Sequence, residues 1–428
     1  MDKIKIFWIL SKNNLLKMDK IKMKLIRETY LNQIRPFYDV DLIKVIVGVR
    51  RAGKSILLET IMDEIIKSGI SSDHIIYINF ENLDFYYIKN FLDLHQEVKS
   101  RIVDDKKYYI FLDEIQHVKE FEKALSSFRA SLNVSIFVTG SNSTLLSGEL
   151  STLLTGRTIE FEILPFSFLE MKQYFELNNR NYSDELIYDY MKWGGFPIRF
   201  DLKREEDIRR YLNGLYDNII NRDIKNDSSK FDTKLFKDVS LYILANAGKE
   251  FSVDNIINFY NANNGRKLSR QTIYNYLEKM KKAFLIHSVN KYNIIGKSAL
   301  TGNNKYYAVD VGFRIINTNT VNYDVGFFLE NIIYNELISK GFIVHIGKTY
   351  KGEVDFVAIK NGKKCFIQVS YLLANEETIN REFGAFKPIA DASPKYVMSL
   401  DKVDFSRDGI RHVNIVDFLL HKVNLELS

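Results

Sequence analysis

Residues 48–55 read Gly48-Val49-Arg50-Arg51-Ala52-Gly53-Lys54-Ser55 and match the pattern G-x-x-x-x-G-K-[ST] in full. No other feature constrains the fold as much, because this loop works only between a buried strand and the start of a helix. Both flanks are present. Leu42-Ile43-Lys44-Val45-Ile46-Val47 is a mostly β-branched apolar run, and Ile56 to Ile66 keeps helical spacing. The glycines let backbone N–H groups close around phosphate oxygens, and the helix adds its positive dipole end. Lys54 then places an ammonium on the β- and γ-phosphates, and the Ser55 hydroxyl ligates Mg²⁺. The expected nucleotide-binding set is Gly48, Val49, Arg50, Arg51, Ala52, Gly53, Lys54, Ser55 and Ile56, with ATP and Mg²⁺ as the ligands.

A second motif complements the first. Tyr108-Tyr109-Ile110-Phe111-Leu112 is an apolar strand that delivers Asp113 and Glu114 at its C-terminal end, where open α/β sheets bind ligands. Asp113 is expected to hold Mg²⁺, directly or through water, and Glu114 to act as general base on the attacking water. Thr139-Gly140-Ser141-Asn142-Ser143 follows a further apolar strand, and Asn142 or Ser141 is expected beside the γ-phosphate. Gly156-Arg157 precedes another strand. Arg157 is either an arginine finger reaching a neighbouring subunit's nucleotide, which requires a homo-oligomer, or a salt-bridged surface arginine.

The strand-like runs at 42–47, 75–80, 108–112, 135–139 and 158–164 are apolar on both faces and separated by helical stretches. That combination predicts a buried parallel sheet with helices on both sides. From Pro165 to about Asp232 the pattern is helical, and the polar stretch 225–230 reads as a linker. The expected organisation is an N-terminal extension (1–23), a phosphate-loop domain (24–165), a helical lid (166–232), a winged helix (233–295) and a C-terminal α/β domain (296–428). The extension carries the repeat of Met1-Asp2-Lys3-Ile4-Lys5 as Met18-Asp19-Lys20-Ile21-Lys22 and is read as dispensable.

Within 233–292, two helix starts with N-cap residues stand out, Ser252-Val253-Asp254 and Ser269-Arg270-Gln271-Thr272. A turn at 261–265 separates them and a strand at 283–286 follows, the pattern of a winged helix-turn-helix. This stretch has ten basic and four acidic residues, a net +6 that equals the charge of the whole chain. Arg270 and Gln271 are candidate base readers, and Lys281 and Lys282 candidate phosphate contacts, with DNA as the partner. The same unit can equally serve as packing between domains.

Further on, Glu330 lies on a helical stretch, Asp355 on a strand, and Gln368 and Ser370 on the next strand. The order resembles the PD-(D/E)XK restriction-endonuclease-like fold. In active members the last strand carries Glu-x-Lys, the acid binding metal and the lysine orienting water. Gln368 is a poor Mg²⁺ ligand and Ser370 supplies no cation, so the expected site is vestigial. Lys363 or Lys364 of the preceding hairpin are the alternatives for the missing charge.

Taken together, the strings around Lys54, Asp113, Ser141 and Arg157 resemble the AAA+-superfamily ATPases of bacteria and archaea, in particular a large group with a C-terminal domain of unknown function. The likeness extends through Gly194 to Pro197, Arg222 to Ile224, Tyr307 to Arg314, Glu353 to Val357 and Ile367 to Tyr371. It implies a sheet of order 5-1-4-3-2 and a glutamate base, consistent with Glu114. Two arginines within the loop are a habit of the group, and Arg50 and Arg51 are expected to touch phosphate or a neighbouring subunit. The expected function is an Mg²⁺-dependent ATPase of AAA+ type coupled to DNA. The alternatives are an ATP-controlled DNA-binding regulator and an ATP-regulated metal-dependent nuclease.

Composition removes other classes. The 428 residues are 46% hydrophobic and 27% charged, a globular balance. The single cysteine, Cys365, excludes an intramolecular disulfide or a cysteine-rich zinc module and points to the cytoplasm. No run approaches the roughly 18 apolar residues of a membrane span, so no membrane role is expected.

Overall fold

Five short strands form the first sheet: β1 (Ile43–Val47), β2 (Ile75–Asn79), β3 (Tyr108–Asp113), β4 (Val134–Gly140) and β5 (Thr158–Glu162). The computed structural model describes residues 24–142, 154–183, 185–225, 231–250, 252–264, 268–296, 298–316 and 325–428. All neighbouring strands in this sheet are parallel and the order is β2-β3-β4-β1-β5, the 5-1-4-3-2 order read from the other edge. β1 and β3 are buried along their whole length and β4 along nearly all of it. Strands covered on both faces need apolar residues at every position rather than at alternate ones.

The period of two divides these residues between two cores. Val45, Val47, Ile110, Leu112, Ile136 and Val138 face one side. Ile46, Phe111 and Phe137 face the other, against Leu57, Leu58, Ile61 and Ile65 of α2 (Lys54–Lys67) and Leu31 and Ile34 of α1 (Glu28–Ile34). α3 (Phe91–Arg101) and α4 (Phe121–Ser131) cover the first side through Leu94, Val98, Leu125 and Phe128. Because the strands run parallel, Val47, Asp113 and Gly140 end along the same edge.

Helices follow. α5 (Phe168–Leu177) opens with a capping box between Ser167 and Glu170. After α6 (Leu186–Trp193), α7 (Glu205–Ile219) runs into a π-turn at Ile220–Ile224. Then come α8 (Thr233–Ala245), α9 (Val253–Asn264) and α10 (Arg270–Lys282). The expected linker at 225–230 lies outside the described residues except for Lys225, as does the 1–23 extension.

A second sheet has seven strands in the order β12-β11-β10-β9-β8-β6-β7. They are β6 (Ile286–Asn293), β7 (Ser298–Ala308), β8 (Ile343–Lys348), β9 (Glu353–Lys360), β10 (Lys363–Val369), β11 (Lys395–Ser399) and β12 (Arg411–Asn414). α11 (Val325–Ser339), α12 (Glu376–Gly384) and α13 (Ile415–Leu419) accompany them. Here the structure corrects the sequence reading. The boundary expected between 295 and 296 falls in the turn joining β6 to β7, two strands that pair with each other. β6 also pairs in parallel with β8, Lys291 opposite Ile346 and Asn293 opposite Lys348. The strand expected at 283–286 to close a separate winged unit starts only at Ile286, runs on to Asn293 and belongs to the large sheet. Pairing satisfies backbone groups that a free strand edge leaves open, and Lys291 adds a 2.6 Å ion pair to Glu353 of β9.

One carboxylate joins the helical region to this second unit. Asp310 accepts from the N–H of Gly195 (2.7 Å) and of Gly312 (2.8 Å). The approach is so close that a Cβ on Gly194, at φ +71°, would stand 1.7 Å from Asp310 Oδ1. Burial pushes the Asp310 carboxyl up to about 6, the two backbone donors pulling the other way.

Candidate active site

The turn from β1 into α2 places the first set of groups. Gly48 (φ +140°), Arg51 (φ +69°) and Gly53 (φ +99°) curl the chain back so that α2 begins at Lys54. Beside it, the Ile163 N–H donates to Val47 O (2.8 Å), and a Cβ on Gly48 would lie 2.2 Å from Ile163 O. Only glycine accepts both that conformation and that approach. Gly48→Ala is expected to cost on the order of 1–3 kcal/mol and to disturb the loop, read as a fall in unfolding temperature together with weaker nucleotide binding.

Lys54 is 4% exposed. Its ammonium donates to Gly48 O (2.9 Å) and Val49 O (3.2 Å), so it is folded into the ring of the loop. Burial lowers its pKa, and Glu114 opposes the effect. Val49 and Ala52 are buried under the loop, whereas Arg51 and Ile56 are exposed.

β3 and β4 supply the second set. Asp113 is fully buried. It accepts from the Thr139 hydroxyl and from Asn79 Nδ2 (3.1 Å). Burial pushes its carboxyl up, and the Thr139 and Ser55 hydroxyls hold it down. Glu114 leaves the strand in the left-handed region, φ +57° and ψ +50°, which is rare for a residue with a side chain. Its N–H donates to Thr139 Oγ1 (2.9 Å), so one threonine fixes both acids. The Glu114 carboxylate accepts from Gln116 Nε2, and Gln116 Oε1 is buried with no hydrogen-bond partner among the described residues.

The end of β4 and the π-turn meet the loop from a third side. Ser141 Oγ donates to Asp223 Oδ1 (3.2 Å), and Asn142 Nδ2 donates to Asp223 O (3.0 Å). Arg50 clasps the same carboxylate through Nε (3.2 Å) and Nη2 (3.0 Å), with Nη2 3.4 Å from Ser141 Oγ and Nη1 3.3 Å from Glu81 Oε1. Burial costs the guanidinium, but Asp223, Glu114 and Glu81 together raise its pKa. The sequence reading expected Arg50 on phosphate or on a neighbour; its partner in this structure is Asp223. One residue further on, Ile224 O accepts from Lys279 Nζ of α10 (3.0 Å).

Arg27 ties these parts together. It is 2% exposed and pairs with Glu170 (2.7 and 2.8 Å). It also donates to Ala52 O in the loop (3.0 Å) and to Leu164 O (2.9 Å). Sequence reasoning missed Arg27, Thr139, Gln116 and Asp223. Thr139 stood in the string Thr139-Gly140-Ser141-Asn142-Ser143 and Asp223 in Arg222-Asp223-Ile224, but neither string told what these two side chains hold.

Arg157 is exposed and stands just before β5, where the Ile43 N–H donates to its carbonyl (2.9 Å). That is the opposite end of β1 from Gly48, about 16 Å along a strand of five residues. It does not approach the phosphate loop of its own subunit.

In the second unit, Glu330, Asp355, Gln368 and Ser370 do converge. With Glu382 and Lys249 they line a cavity of about 1170 Å³. The Asp355 N–H donates to Gln368 Oε1 (3.3 Å), Gln368 Nε2 to Glu382 Oε2 (2.9 Å), and the Val369 N–H to Asp355 Oδ2 (2.8 Å). Glu330 accepts from the Tyr307 hydroxyl and from Lys305 Nζ (3.3 Å). Burial first, and Glu330 second, push the Asp355 carboxyl well up. Among the described residues no group of three or more His, Cys, Asp or Glu side chains is arranged to hold a metal ion.

On α10, Arg270 and Gln271 are exposed on the first turn, Arg270 pairing with Asp254 (2.8 Å) and Gln271 with Asn275 (2.9 Å). Lys281 pairs with Glu278 (2.6 Å), and Lys282 is exposed. Arg266 and Lys267, part of the basic count, lie outside the described residues. No described helix is long and apolar enough to cross a membrane.

Residues 41–172 match the family model described as "AAA domain". Residues 184–321 match "Domain of unknown function (DUF8612)", a span that crosses the boundaries expected at 232 and 295. An uncharacterized protein of Haemophilus influenzae is 36% identical over 406 residues, covering 93% of this chain and 99% of its own length. An uncharacterized protein of Methanocaldococcus jannaschii is 32% identical over 395 residues, with 88% and 85% covered. Similar solved structures include the Walker-type ATPase PABY2304 of Pyrococcus abyssi, 18% identical with a TM-score of 0.47, covering 68% of this chain and 95% of that one. AMPPCP-bound DnaA of Aquifex aeolicus is 17% identical with a TM-score of 0.30, covering 59% and 86%. The chain belongs to the family of the Haemophilus and Methanocaldococcus proteins, and its first sheet lies in an AAA domain.

Proposed function

We propose that the protein is an Mg²⁺-dependent ATP hydrolase of AAA+ type. The observation that carries this reading is the convergence of Lys54, Ser55, Asp113 and Glu114 at one edge of a parallel sheet, with the Ser55 hydroxyl favouring the charged form of Asp113 and Lys54 held within the loop. The donor set suits the metal: a serine hydroxyl and a carboxylate are hard oxygen ligands, and Mg²⁺ completes its shell with water and phosphate oxygens. Bound to Ser55 and Asp113, the ion would neutralise charge on the β- and γ-phosphates.

The chain's own groups then divide the work. The loop amides from Gly48 to Gly53 enclose the phosphates, and the Lys54 ammonium exchanges its two carbonyl partners for phosphate oxygens. Glu114 takes a proton from water as the water oxygen bonds to the γ-phosphorus. The bond from that phosphorus to the β–γ bridging oxygen breaks, giving ADP and inorganic phosphate. Asn142 and Ser141 flank the γ-phosphate. Phosphate release is expected to need Mg²⁺ and to stop when the metal is chelated; release at an undiminished rate in excess chelator overturns the reading.

The finer reading couples nucleotide state to duplex DNA. Support comes from the basic stretch around α10, with Arg270, Gln271 and Lys282 exposed. Binding is expected to weaken steeply with salt and to fall by several-fold when Lys281 and Lys282 are both changed to alanine, roughly uniformly across sequences. Fluorescence anisotropy with labelled duplex measures this, and no binding at low salt with ATP present removes it. Arg157, exposed and remote from its own loop, supports a homo-oligomer in which it acts on a neighbour's nucleotide.

A second reading concerns the C-terminal unit. The order α11-β8-β9-β10-α12-β11, with β10 and β11 parallel, and the meeting of Glu330 with Asp355 support a PD-(D/E)XK-like scaffold. Gln368 is spent on Asp355 and Glu382, so we read the site as non-catalytic. DNA cleavage with Mg²⁺ or Mn²⁺ that is lost in Asp355→Ala contradicts this.

A further inference from the structure

Two side chains at the phosphate end of the site, Arg50 and Ser141, meet on one carboxylate that belongs to neither the loop nor the sheet, and a third, Asn142, bonds the same residue's carbonyl. Asp223 sits in the π-turn after α7, its side chain 5% exposed. Both of its oxygens face Arg50, Oδ1 also takes the Ser141 hydroxyl proton, and its carbonyl takes the Asn142 amide. π-turns are rare and concentrate at functional sites.

Resting on the ATP reading above, we propose that Asp223 is a positioning residue that aims Arg50 at the γ-phosphate, so that the site distinguishes ATP from ADP. A two-pronged bond from a carboxylate fixes the plane of a guanidinium as a single contact does not. Arg50 is the third residue of the loop that encloses the phosphates. Its Nη2 lies 3.4 Å from Ser141 Oγ, which lies 3.5 Å from Gln116 Nε2, which is bonded to Glu114. This chain of contacts runs from Arg50 to the general base, so the guanidinium stands at the end of the site where the terminal phosphate is attacked, not at the nucleoside end.

Charge makes the discrimination. Asp223, Glu81 and Glu114 lie around Arg50 and favour its cationic form, so a γ-phosphate meets charged N–H donors held in a largely dry place. ADP offers no group to them. Without the Asp223 charge, the only carboxylate still paired with Arg50 is Glu81, whose side chain is 43% exposed, and the guanidinium turns outward.

The test uses the full chain in a Glu114→Gln background, where turnover is slow, and measures dissociation constants for Mg-ATP and Mg-ADP. The preference for ATP over ADP is expected to drop about tenfold in Asp223→Asn and in Arg50→Gln, the size of one charged hydrogen bond. ADP affinity is expected to stay within about twofold. Because Asp223 acts through Arg50, the double variant should lose no more than either single one. An unchanged or increased ATP preference in Asp223→Asn overturns the proposal. So does an equal loss of ADP binding, or additive losses in the double variant. If the background protein binds neither nucleotide, the ATP reading falls and takes this inference with it; normal binding with an unaffected Asp223→Asn strikes this inference alone.

Discussion

Glu114→Gln is expected to keep ATP affinity and to lower turnover about 10²- to 10⁴-fold, the usual worth of a positioned general base. The two side chains have the same shape, so the backbone pose held by Thr139 Oγ1 at 2.9 Å survives the change. What disappears is the ability to accept a proton, because a neutral amide is not a base near neutral pH. Affinity should persist, because it resides in the loop amides and in Lys54, which Glu114 does not position. Phosphate release in single turnover, paired with equilibrium binding of ATP, separates the two effects. An unchanged rate would place the base elsewhere.

Arg27→Ala is expected to cost about 3–5 kcal/mol, the range for breaking a buried ion pair by removing one partner. Arg27 and Glu170 are 3% and 5% exposed in their side chains, with 2.7 Å between Nη2 and Oε2. Burial works against the guanidinium, and Glu170 foremost, with Tyr30 and Tyr190, raises its pKa on balance. Removing it leaves the Glu170 charge buried and alone, and it strips a donor from Ala52 O and Leu164 O. Replacing both partners with methionine should be far milder, since no lone charge remains. The shift in the first unfolding transition by urea or heat reads both variants. Less than about 1 kcal/mol for Arg27→Ala would mean that water reaches Glu170. Because Ala52 lies in the phosphate loop, Arg27→Ala should also weaken ATP binding.

How much of this was legible in the chain depends on sequence distance. The loop, its two flanking elements and the Asp113-Glu114 tip are local patterns, and local patterns carry their own physics: a β-branched run, two glycines, a helix with apolar spacing. The five strand runs of the first sheet reappear within one or two residues of where periodicity put them, whereas the run read as a strand at 283–286 is a strand only from Ile286 to Asn293, and the strand order followed from the resemblance rather than from periodicity. Asp223 and Arg50 are 173 residues apart, and Arg27 and Glu170 are 143 apart. Nothing in the sequence near either partner announces such a pair. The same holds for β6, whose parallel partner β8 begins some fifty residues later. A hairpin is readable from its turn, but the sheet it joins is chosen by what remains unpaired elsewhere. Glu330, Asp355, Gln368 and Ser370 came together because element order predicts proximity in that topology. Their hydrogen bonds to Tyr307, Lys305 and Glu382 were invisible to it.

A triphosphate resting between Lys54-Ser55 and Asp113-Glu114 is the claim on which the rest depends, and ATP affinity in wild type and Lys54→Ala, with Mg²⁺ present, tests it most directly. Loss of an ammonium that bonds two phosphates at a buried site should weaken binding at least about 100-fold. Equal affinity in the two proteins would mean that the nucleotide, if bound at all, lies somewhere else.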